Sequence, residues 1–123
     1  MGRMLKALVT VVVAATAVLG LGACSSPTAS GVPAGATVVD VRTPAEYAAG
    51  HLSGAVNVDV ESPDFATKIA ALDVSGTYLV YCRTGSRAAV AKSEMGAKGF
   101  THVTNLGGID AAAATTGLSV VTH

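Results

Sequence analysis

A single cysteine stands where an apolar run gives way to a helical pattern. In "YLVYCRTGSRAAVAK", residues 78–92, Cys82 ends the run, and Arg83, Gly85 and Arg87 follow it. Glycine permits a tight turn, and the amide N–H groups of such a turn, with the start of the next helix, create partial positive charge. A sulfur at its centre is held as the thiolate, the nucleophilic form of cysteine. The pattern therefore predicts a reactive cysteine; the alternative is a small apolar residue that ends a buried strand.

The segments around this cysteine alternate between short apolar runs and helical patterns. The runs predict strands at 37–41, 55–58, 77–82 and 102–106, and the patterns predict helices at 44–50, 62–73, 86–99 and 108–117. Strands that alternate with helices imply crossover connections and a mainly parallel sheet of four or five strands with helices on both faces. Ligands bind such sheets at the carboxyl ends of the strands, where Cys82 is predicted to lie.

The first residues have the pattern expected of a targeting signal rather than of a folded segment. Arg3 and Lys6 precede a 15-residue apolar run, 7–21, which is shorter than the about 18 residues expected of a spanning helix. The run ends in Leu-Gly-Ala-Cys, residues 21–24, which resembles the signal of bacterial lipoproteins, in which the cysteine is lipidated. We expect a signal peptide at 1–23, a flexible Ser/Gly/Pro-rich linker at 24–35 and a folded domain at 36–123. An ordinary secretory signal or an uncleaved anchor are the alternatives, and all three export the domain.

Composition and charge exclude several classes of function. The 100 residues from Cys24 onward carry six basic and eight acidic side chains, a net charge of −2, so nucleic-acid binding is not expected. The three histidines show no metal-ligand spacing, and we predict no metal site. Lipidation of Cys24 leaves Cys82 as the only thiol, which excludes an internal disulfide.

Three segments together resemble the rhodanese family of sulfurtransferases. Residues 82–87, "CRTGSR", resemble its active-site loop, Cys-Arg-x-Gly-x-Arg. Residues 38–58, "VVDVRTPAEYAAGHLSGAVNV", resemble its Asp-x-Arg…Glu-Tyr…Gly-His signature, and residues 105–111, "NLGGIDA", resemble its Gly-Gly segment. The resemblance extends from residue 36 to about residue 121 in the family's order and spacing.

This resemblance implies a fold, a reaction and partners. The fold is a rhodanese-like parallel sheet between two layers of helices. The loop cysteine takes a sulfane sulfur from a small anionic donor such as thiosulfate, becomes a persulfide, and passes the sulfur to a thiol or to cyanide. We expect a monomer without a cofactor, exported and lipid-anchored through Cys24 to the extracytoplasmic side of the bacterial cell membrane.

The resemblance also assigns roles to individual residues. Cys82 is the expected nucleophile and persulfide carrier. The expected substrate-binding residues are those of the loop: Arg83, Thr84, Gly85, Ser86 and Arg87, through backbone N–H groups at 84–87 and through the charges of both arginines. A solvated surface charge is the alternative for each arginine.

Upstream, the expected structural residues are Asp40, Arg42 and Glu46, and Arg42 and Glu46 are spaced to pair across a turn. A role for Asp40 on the substrate side stays open, whereas His51 is not needed as a general base because the thiolate is already formed.

The sequence departs from the family's pattern in three places. Ala112 stands where the family usually has a tryptophan, an alanine run occupies 111–114, and the family's extra first strand and helix have no counterpart. These differences predict a core that is packed differently or more loosely.

Two functions are alternatives to sulfur transfer. A phosphatase of this fold needs Cys-x5-Arg, but Ala88 occupies the sixth position after Cys82 here. A persulfide carrier or thiol-containing binding module with little turnover is the alternative of another class.

Overall fold

The computed structural model describes residues 31–122. The predicted signal peptide, Cys24 and the first part of the predicted linker lie outside the described residues. The strands are β1 (Thr37–Asp40), β2 (His51–Leu52), β3 (Val56–Asn57), β4 (Tyr78–Cys82), β5 (Val103–Gly108) and β6 (Val120–Val121). The helices are α1 (Pro44–Ala49), α2 (Phe65–Ala70), α3 (Ser86–Ala97) and α4 (Ile109–Thr116).

Four of the strands form a parallel sheet in the order β3-β1-β4-β5. Val39 lies opposite Val80, and Val80 lies opposite Asn105, so the carboxyl ends of β1, β4 and β5 meet at one edge. The register between β4 and β5 shifts between Val80 and Cys82, which lets Cys82 pair with Gly108. This shift brings the end of β5 against the residues that follow β4.

The sheet is buried on both faces, as expected for parallel strands connected by helices. One face packs on α2 and α3 through Phe65, Ile69, Ala88, Ala91 and Met95. The other face packs on α1 and α4 around Leu52, Tyr81 and Ala112, with Tyr47, Ile109 and Ala113 beside them. The predicted α/β fold with helical layers on both faces of a mainly parallel sheet is therefore confirmed.

The helix that follows β1 has clear start and stop signals. Thr43 precedes it, and its hydroxyl accepts the N–H of Glu46 at 3.2 Å, which satisfies one of the free donors of the first turn. Pro44 occupies the first helical position, where a missing N–H costs nothing. The Gly50 N–H donates to the Tyr47 carbonyl and ends the helix.

All eight predicted elements are present, but a second sheet was not predicted. β2 and β6 form an antiparallel pair in which His51 lies opposite Val121. The pairing joins two segments that are far apart in the chain, so no local pattern in the sequence indicates it. The predicted helix at 62–73 is shorter in the structure, Phe65–Ala70, and the predicted strand at 102–106 continues to Gly108.

The chain before β1 contacts the domain, although the sequence assigned residues 31–35 to a linker. The Gly31 N–H donates to the Thr115 carbonyl at 3.0 Å, and Val32 and Ala36 pack against the cluster on the α1 and α4 face. Ala112, at the position of the family's tryptophan, is fully buried in this cluster. The described residues thus bring the segment before β1 and an alanine-rich helix onto the same face of the sheet. Among them, no helix is both long and apolar enough to cross a membrane.

Candidate active site

Cys82 is the last residue of the central strand β4, and its side chain is enclosed. The residue is 0% exposed. Its Sγ accepts the Gly85 N–H at 2.9 Å and the Ala88 N–H at 3.4 Å. The amide of Gly85 was predicted to surround the sulfur, whereas that of Ala88 lies one residue beyond the predicted 84–87 segment. The geometry places two N–H donors on a sulfur at the start of a helix, where thiolates are stabilised.

The first turn of α3 offers further donors at the same place. Its first hydrogen bond within the backbone runs from the Ala89 N–H to the Gly85 carbonyl at 3.0 Å. The amides of Ser86 and Arg87 precede this bond, so they have no acceptor within the helix. Neither amide has an acceptor elsewhere in residues 31–122. Both amides can therefore donate a hydrogen bond to an anion that binds near Cys82. The Thr84 hydroxyl contacts the Ser86 hydroxyl at 3.3 Å.

The end of β5 supports the loop from behind. The Asn105 side chain donates from Nδ2 to the Gly85 carbonyl at 3.1 Å and accepts the Gly107 N–H at Oδ1 at 2.8 Å. A Cβ on Gly108 would lie 2.5 Å from the Arg83 carbonyl oxygen. The absence of a side chain at Gly108 therefore allows the strand to touch the loop. The Gly-Gly segment was identified from the sequence, but its contact with the loop and the role of Asn105 were not. The position of Asn105 just before Gly107 and Gly108 is the feature of the sequence that could have indicated this role.

We expect Gly108→Ala to displace the loop. The nearest atom is main chain, so the clash cannot be relieved by rotating a side chain, and overpacking of this kind costs about 1–3 kcal/mol. The rate at which Cys82 reacts with iodoacetamide should fall at least about tenfold, because effective reaction geometry tolerates little displacement. Gly96→Ala is the matched control, since a Cβ there meets nothing within 4 Å and Gly96 lies inside α3. Urea unfolding and alkylation rates should separate the two variants, and equal behaviour would mean that the loop does not need this contact.

Arg87 is held by carboxylates rather than presented freely to solvent. Its Nη1 and Nη2 donate to Oε1 and Oε2 of Glu46 at 2.8 and 2.9 Å, and Nη1 lies 3.7 Å from Oε2 of Glu61. The Arg87 guanidinium, with help from the Thr43 hydroxyl, lowers the pKa of Glu46 to about 2. Glu46 in turn raises the pKa of Arg87 above its usual value. The predicted substrate-binding role of Arg87 stays a prediction, but its charge is largely compensated.

The expected pairing of Arg42 with Glu46 is wrong, because Arg42 pairs with Asp40. Its Nε donates to both Asp40 oxygens at 3.0 and 3.1 Å, and its Nη2 donates to Oδ2 at 2.6 Å. Nη2 also donates to the Gly50 carbonyl at 2.6 Å. Asp40 and Arg42 are both buried, and the hydrogen bonds to Asp40 raise the pKa of Arg42. Asp40 lies two residues before Arg42, and its Oδ1 also accepts the Arg42 backbone N–H at 2.9 Å.

This buried pair is enclosed by further polar contacts. The Asn57 amide donates to the carbonyls of Asp40 and Arg42 at 3.0 and 2.8 Å. The Arg42 guanidinium carbon lies 5.7 Å from the centre of the Tyr81 ring, and burial raises the pKa of Tyr81. The enclosure agrees with a structural role for Asp40 and Arg42 and leaves no exposed Asp40 carboxylate for a substrate.

Two other candidates have different surroundings. Arg83 is exposed and has no carboxylate partner among the residues that the structure describes. His51 is buried, stacks on Tyr47 with ring centres 3.6 Å apart, and places Nδ1 2.8 Å from the Tyr47 carbonyl oxygen. Arg83 is therefore the loop arginine that is available to an anion, and the contacts of His51 tie it to α1.

The family follows from a comparison with known domains. The model of the Rhodanese-like domain matches residues 28–115. The chain belongs to the rhodanese family. The match begins before β1 and includes the cysteine loop and most of α4, so it covers the whole of the site described above.

Several curated relatives are named as thiosulfate sulfurtransferases. The chain is 35% identical over 71 residues to "Thiosulfate sulfurtransferase PspE" from Escherichia coli, a match that covers 58% of this chain and 68% of the relative. It is 40% identical over 76 residues to "Thiosulfate sulfurtransferase GlpE" from Stutzerimonas stutzeri, covering 61% of this chain and 67% of the relative. The chain is therefore a rhodanese-type enzyme of the sulfurtransferase class.

Solved structures show the same fold. A structure described as "rhodanese with anions from E. coli" superposes with a TM-score of 0.58 at 30% identity, covering 72% of this chain and 99% of the other. A crystal structure of the Alr3790 protein from Anabaena sp. gives a TM-score of 0.62 at 28% identity, with 72% of this chain and 78% of the other covered. The rhodanese fold of this chain is thus supported by both its sequence and its architecture.

Proposed function

We propose that this rhodanese domain transfers a sulfane sulfur from a thiosulfate-like anion to a thiol or cyanide through a persulfide on Cys82. The observation that carries the proposal is the pair of N–H donors from Gly85 and Ala88 on the Cys82 sulfur. Donors fixed on a sulfur stabilise the thiolate, which is the attacking species. The names of the PspE and GlpE relatives support thiosulfate as the donor.

The proposed reaction consists of two displacements at sulfur. The Cys82 thiolate attacks the outer sulfur of thiosulfate, the new S–S bond forms, the S–S bond of thiosulfate breaks, and sulfite leaves with the bonding electron pair. Cyanide then attacks the terminal sulfur of the persulfide through carbon, thiocyanate leaves, and the electron pair returns to Cys82. A thiolate acceptor leaves in the same way as a hydropersulfide anion. Neither step needs a cofactor or an external oxidant.

The loop supplies what these steps require. Negative charge moves from Sγ to the terminal sulfur when the persulfide forms, and fixed dipoles at the developing charge are an effective form of stabilisation. The amides of Ser86 and Arg87 lack protein acceptors in residues 31–122 and are the donors available to that sulfur. Arg83 is exposed and can attract the anionic donor towards the loop.

The mass of the protein after exposure to thiosulfate tests this proposal. We expect Cys82 to gain one sulfur atom, and we expect cyanide or a reductant to remove it with the release of thiocyanate in the cyanide case. Peptide mass spectrometry should assign the added sulfur to the peptide that contains Cys82. A Cys82 that stays unmodified and fully alkylatable after thiosulfate treatment would contradict the persulfide mechanism.

A carrier or binding module with little turnover is a second candidate, favoured by the enclosure of Cys82, which is 0% exposed. Such a module would still form the persulfide, but it would discharge the sulfur only to a specific partner. Steady-state formation of thiocyanate distinguishes the two, because an enzyme turns over many times and a carrier only once. The phosphatase alternative has no such support, since α3 begins at Ser86 and the arginine stands five residues after Cys82.

We also propose that the domain is a monomer exported and attached to the membrane through a lipid on Cys24. The Leu-Gly-Ala-Cys sequence at 21–24 supports this location. A diacylglyceryl group gives stable attachment, whereas a single acyl chain binds only marginally.

The location has its own prediction. Cys24→Ala should release the domain into the soluble fraction or block the processing of the signal, because the lipidated side chain is gone. Cell fractionation followed by mass analysis of the N-terminus measures both effects, and Cys82→Ala in the same cells is the matched cysteine control. Membrane attachment and processing that are unchanged in the Cys24 variant would show that the lipoprotein interpretation is wrong.

A further inference from the structure

Both terminal nitrogens of Arg87 are engaged by a single carboxylate. Nη1 and Nη2 face Oε1 and Oε2 of Glu46 at 2.8 and 2.9 Å. This parallel two-bond geometry is the strongest arrangement that arginine makes with a carboxylate. The pair joins α1 to the first turn of α3, which is the helix that begins at the Cys82 loop. Both terminal nitrogens of the Arg87 guanidinium are therefore already hydrogen-bonded to Glu46 before a sulfur donor binds.

A second carboxylate adds to this compensation. Oε2 of Glu61 lies 3.7 Å from Nη1 of Arg87, and 59% of the Glu61 side chain is exposed. The side chains of Arg87 and Glu46 are 23% and 30% exposed, so the three groups form a partly open cluster rather than a buried one. One positive and two negative charges give this cluster a net charge of −1 beside the loop. An anion approaching Cys82 meets that charge together with the exposed Arg83.

We infer that Glu46 is a specificity-determining residue that disfavours strongly anionic sulfur donors relative to singly charged or neutral ones. The inference rests on the proposed function, because it concerns the donor of the same site. Glu46 does not contact the reacting sulfur in this structure; it acts by withholding the charge and the hydrogen bonds of Arg87. Glu46 accordingly weakens the binding of thiosulfate, a dianion, relative to a small persulfide or another donor of low charge, and thiosulfate remains a donor of the proposed reaction.

The matched variants are Glu46→Gln and Glu94→Gln. Glutamine keeps the length of the side chain and an oxygen for Arg87 and Thr43, while the negative charge is lost. Glu94 is an exposed residue of α3, about two helical turns beyond Arg87, and it gives the same change in net charge without an ion pair to Arg87. Two alkylating probes of similar size, neutral iodoacetamide and anionic iodoacetate, report on Cys82. Their rate ratio cancels any change in the thiolate fraction and leaves the effect of probe charge.

We expect Glu46→Gln to raise the iodoacetate-to-iodoacetamide rate ratio about threefold to tenfold at low ionic strength, and added salt to reduce this gain. The KM for thiosulfate should fall by a similar factor while kcat is retained. Glu94→Gln should change the ratio and the KM far less, because Glu94 does not pair with Arg87. The full-length chain in a non-ionic detergent is used throughout, and peptide mass spectrometry reads Cys82 separately from Cys24.

Other outcomes overturn the inference. A ratio that is the same in Glu46→Gln, Glu94→Gln and the unchanged protein shows that Glu46 does not control charge at the site. Equal losses with both probes show that Glu46 only anchors the loop. If Glu46→Gln does not fold, Glu61→Gln takes its place, with a smaller rise expected and no rise counting against the inference. Failure of thiosulfate to load Cys82 in the unchanged protein would refute the proposed function, whereas the alkylation ratio would still test Glu46.

Discussion

Replacing Cys82 by serine should abolish sulfur uptake and turnover while the domain stays folded. The serine hydroxyl is not ionised near neutral pH and is therefore a poor nucleophile without an adjacent base. The change replaces one atom, and the N–H groups of Gly85 and Ala88 that bond the sulfur can bond an oxygen. We expect thiocyanate formation to drop to background, with a change in unfolding free energy within about 2 kcal/mol.

Cys24→Ser is the matched control for this result. It removes the other thiol of the chain, so any sulfur bound to Cys24 would be lost, whereas turnover at Cys82 should continue. Thiocyanate formation and circular dichroism spectra of both variants make the comparison. Substantial turnover in folded Cys82→Ser protein would mean that the sulfur is carried elsewhere and that the site has been misidentified.

The local part of the site could be predicted from the sequence. Cys82, Gly85 and the start of α3 lie within a few residues of one another, and strand and helix patterns place the cysteine between them. The amide of Ala88 was missed because the loop was assumed to end at Arg87, although α3 turns the next N–H towards the sulfur as well. Where neighbouring residues determine the geometry, the sequence therefore predicts which residues surround the sulfur to within one position.

Contacts between distant segments could not be predicted in the same way. Glu46 and Arg87 are 41 residues apart, and their ion pair depends on how α1 and α3 are placed on opposite sides of the edge where β1 and β4 end. The close contact of Gly108 with Arg83 depends on the register shift between β4 and β5. Neither the placement nor the shift leaves a periodic pattern, and so the charge environment of Arg87 emerged only from the structure.

Arg42 shows how the choice between two local partners is made. Arg42 lies four positions before Glu46, a helical spacing, but Arg42 precedes α1 and is not helical. Its own backbone N–H donates to Asp40 Oδ1 at 2.9 Å, which turns the chain so that the guanidinium reaches the same carboxylate. Asp40 and Arg42 thus form a buried ion pair at the carboxyl edge of the sheet, and each charge is stabilised by the other.

Asp40→Ala should therefore destabilise the domain severely. The substitution leaves the Arg42 guanidinium buried without its carboxylate, and breaking a buried pair in this way costs about 3–5 kcal/mol. A domain of this size has about 5–15 kcal/mol of stability in total, so a large part of it would be lost. Urea unfolding measures the effect, with Asp64→Ala as the exposed control, because the Asp64 side chain makes no capping bond.

The double variant Asp40→Leu with Arg42→Met separates the charge from the packing. Removing both charges takes away the attraction but also the cost of burying them, and such replacements are often neutral or stabilising. The Gly50 carbonyl and the Arg42 backbone N–H lose partners in the double variant, so we expect it to regain most, though not all, of the stability lost in Asp40→Ala. A double variant as unstable as Asp40→Ala would show that shape and hydrogen bonding, rather than the unpaired Arg42 charge, determine the stability at this edge of the sheet.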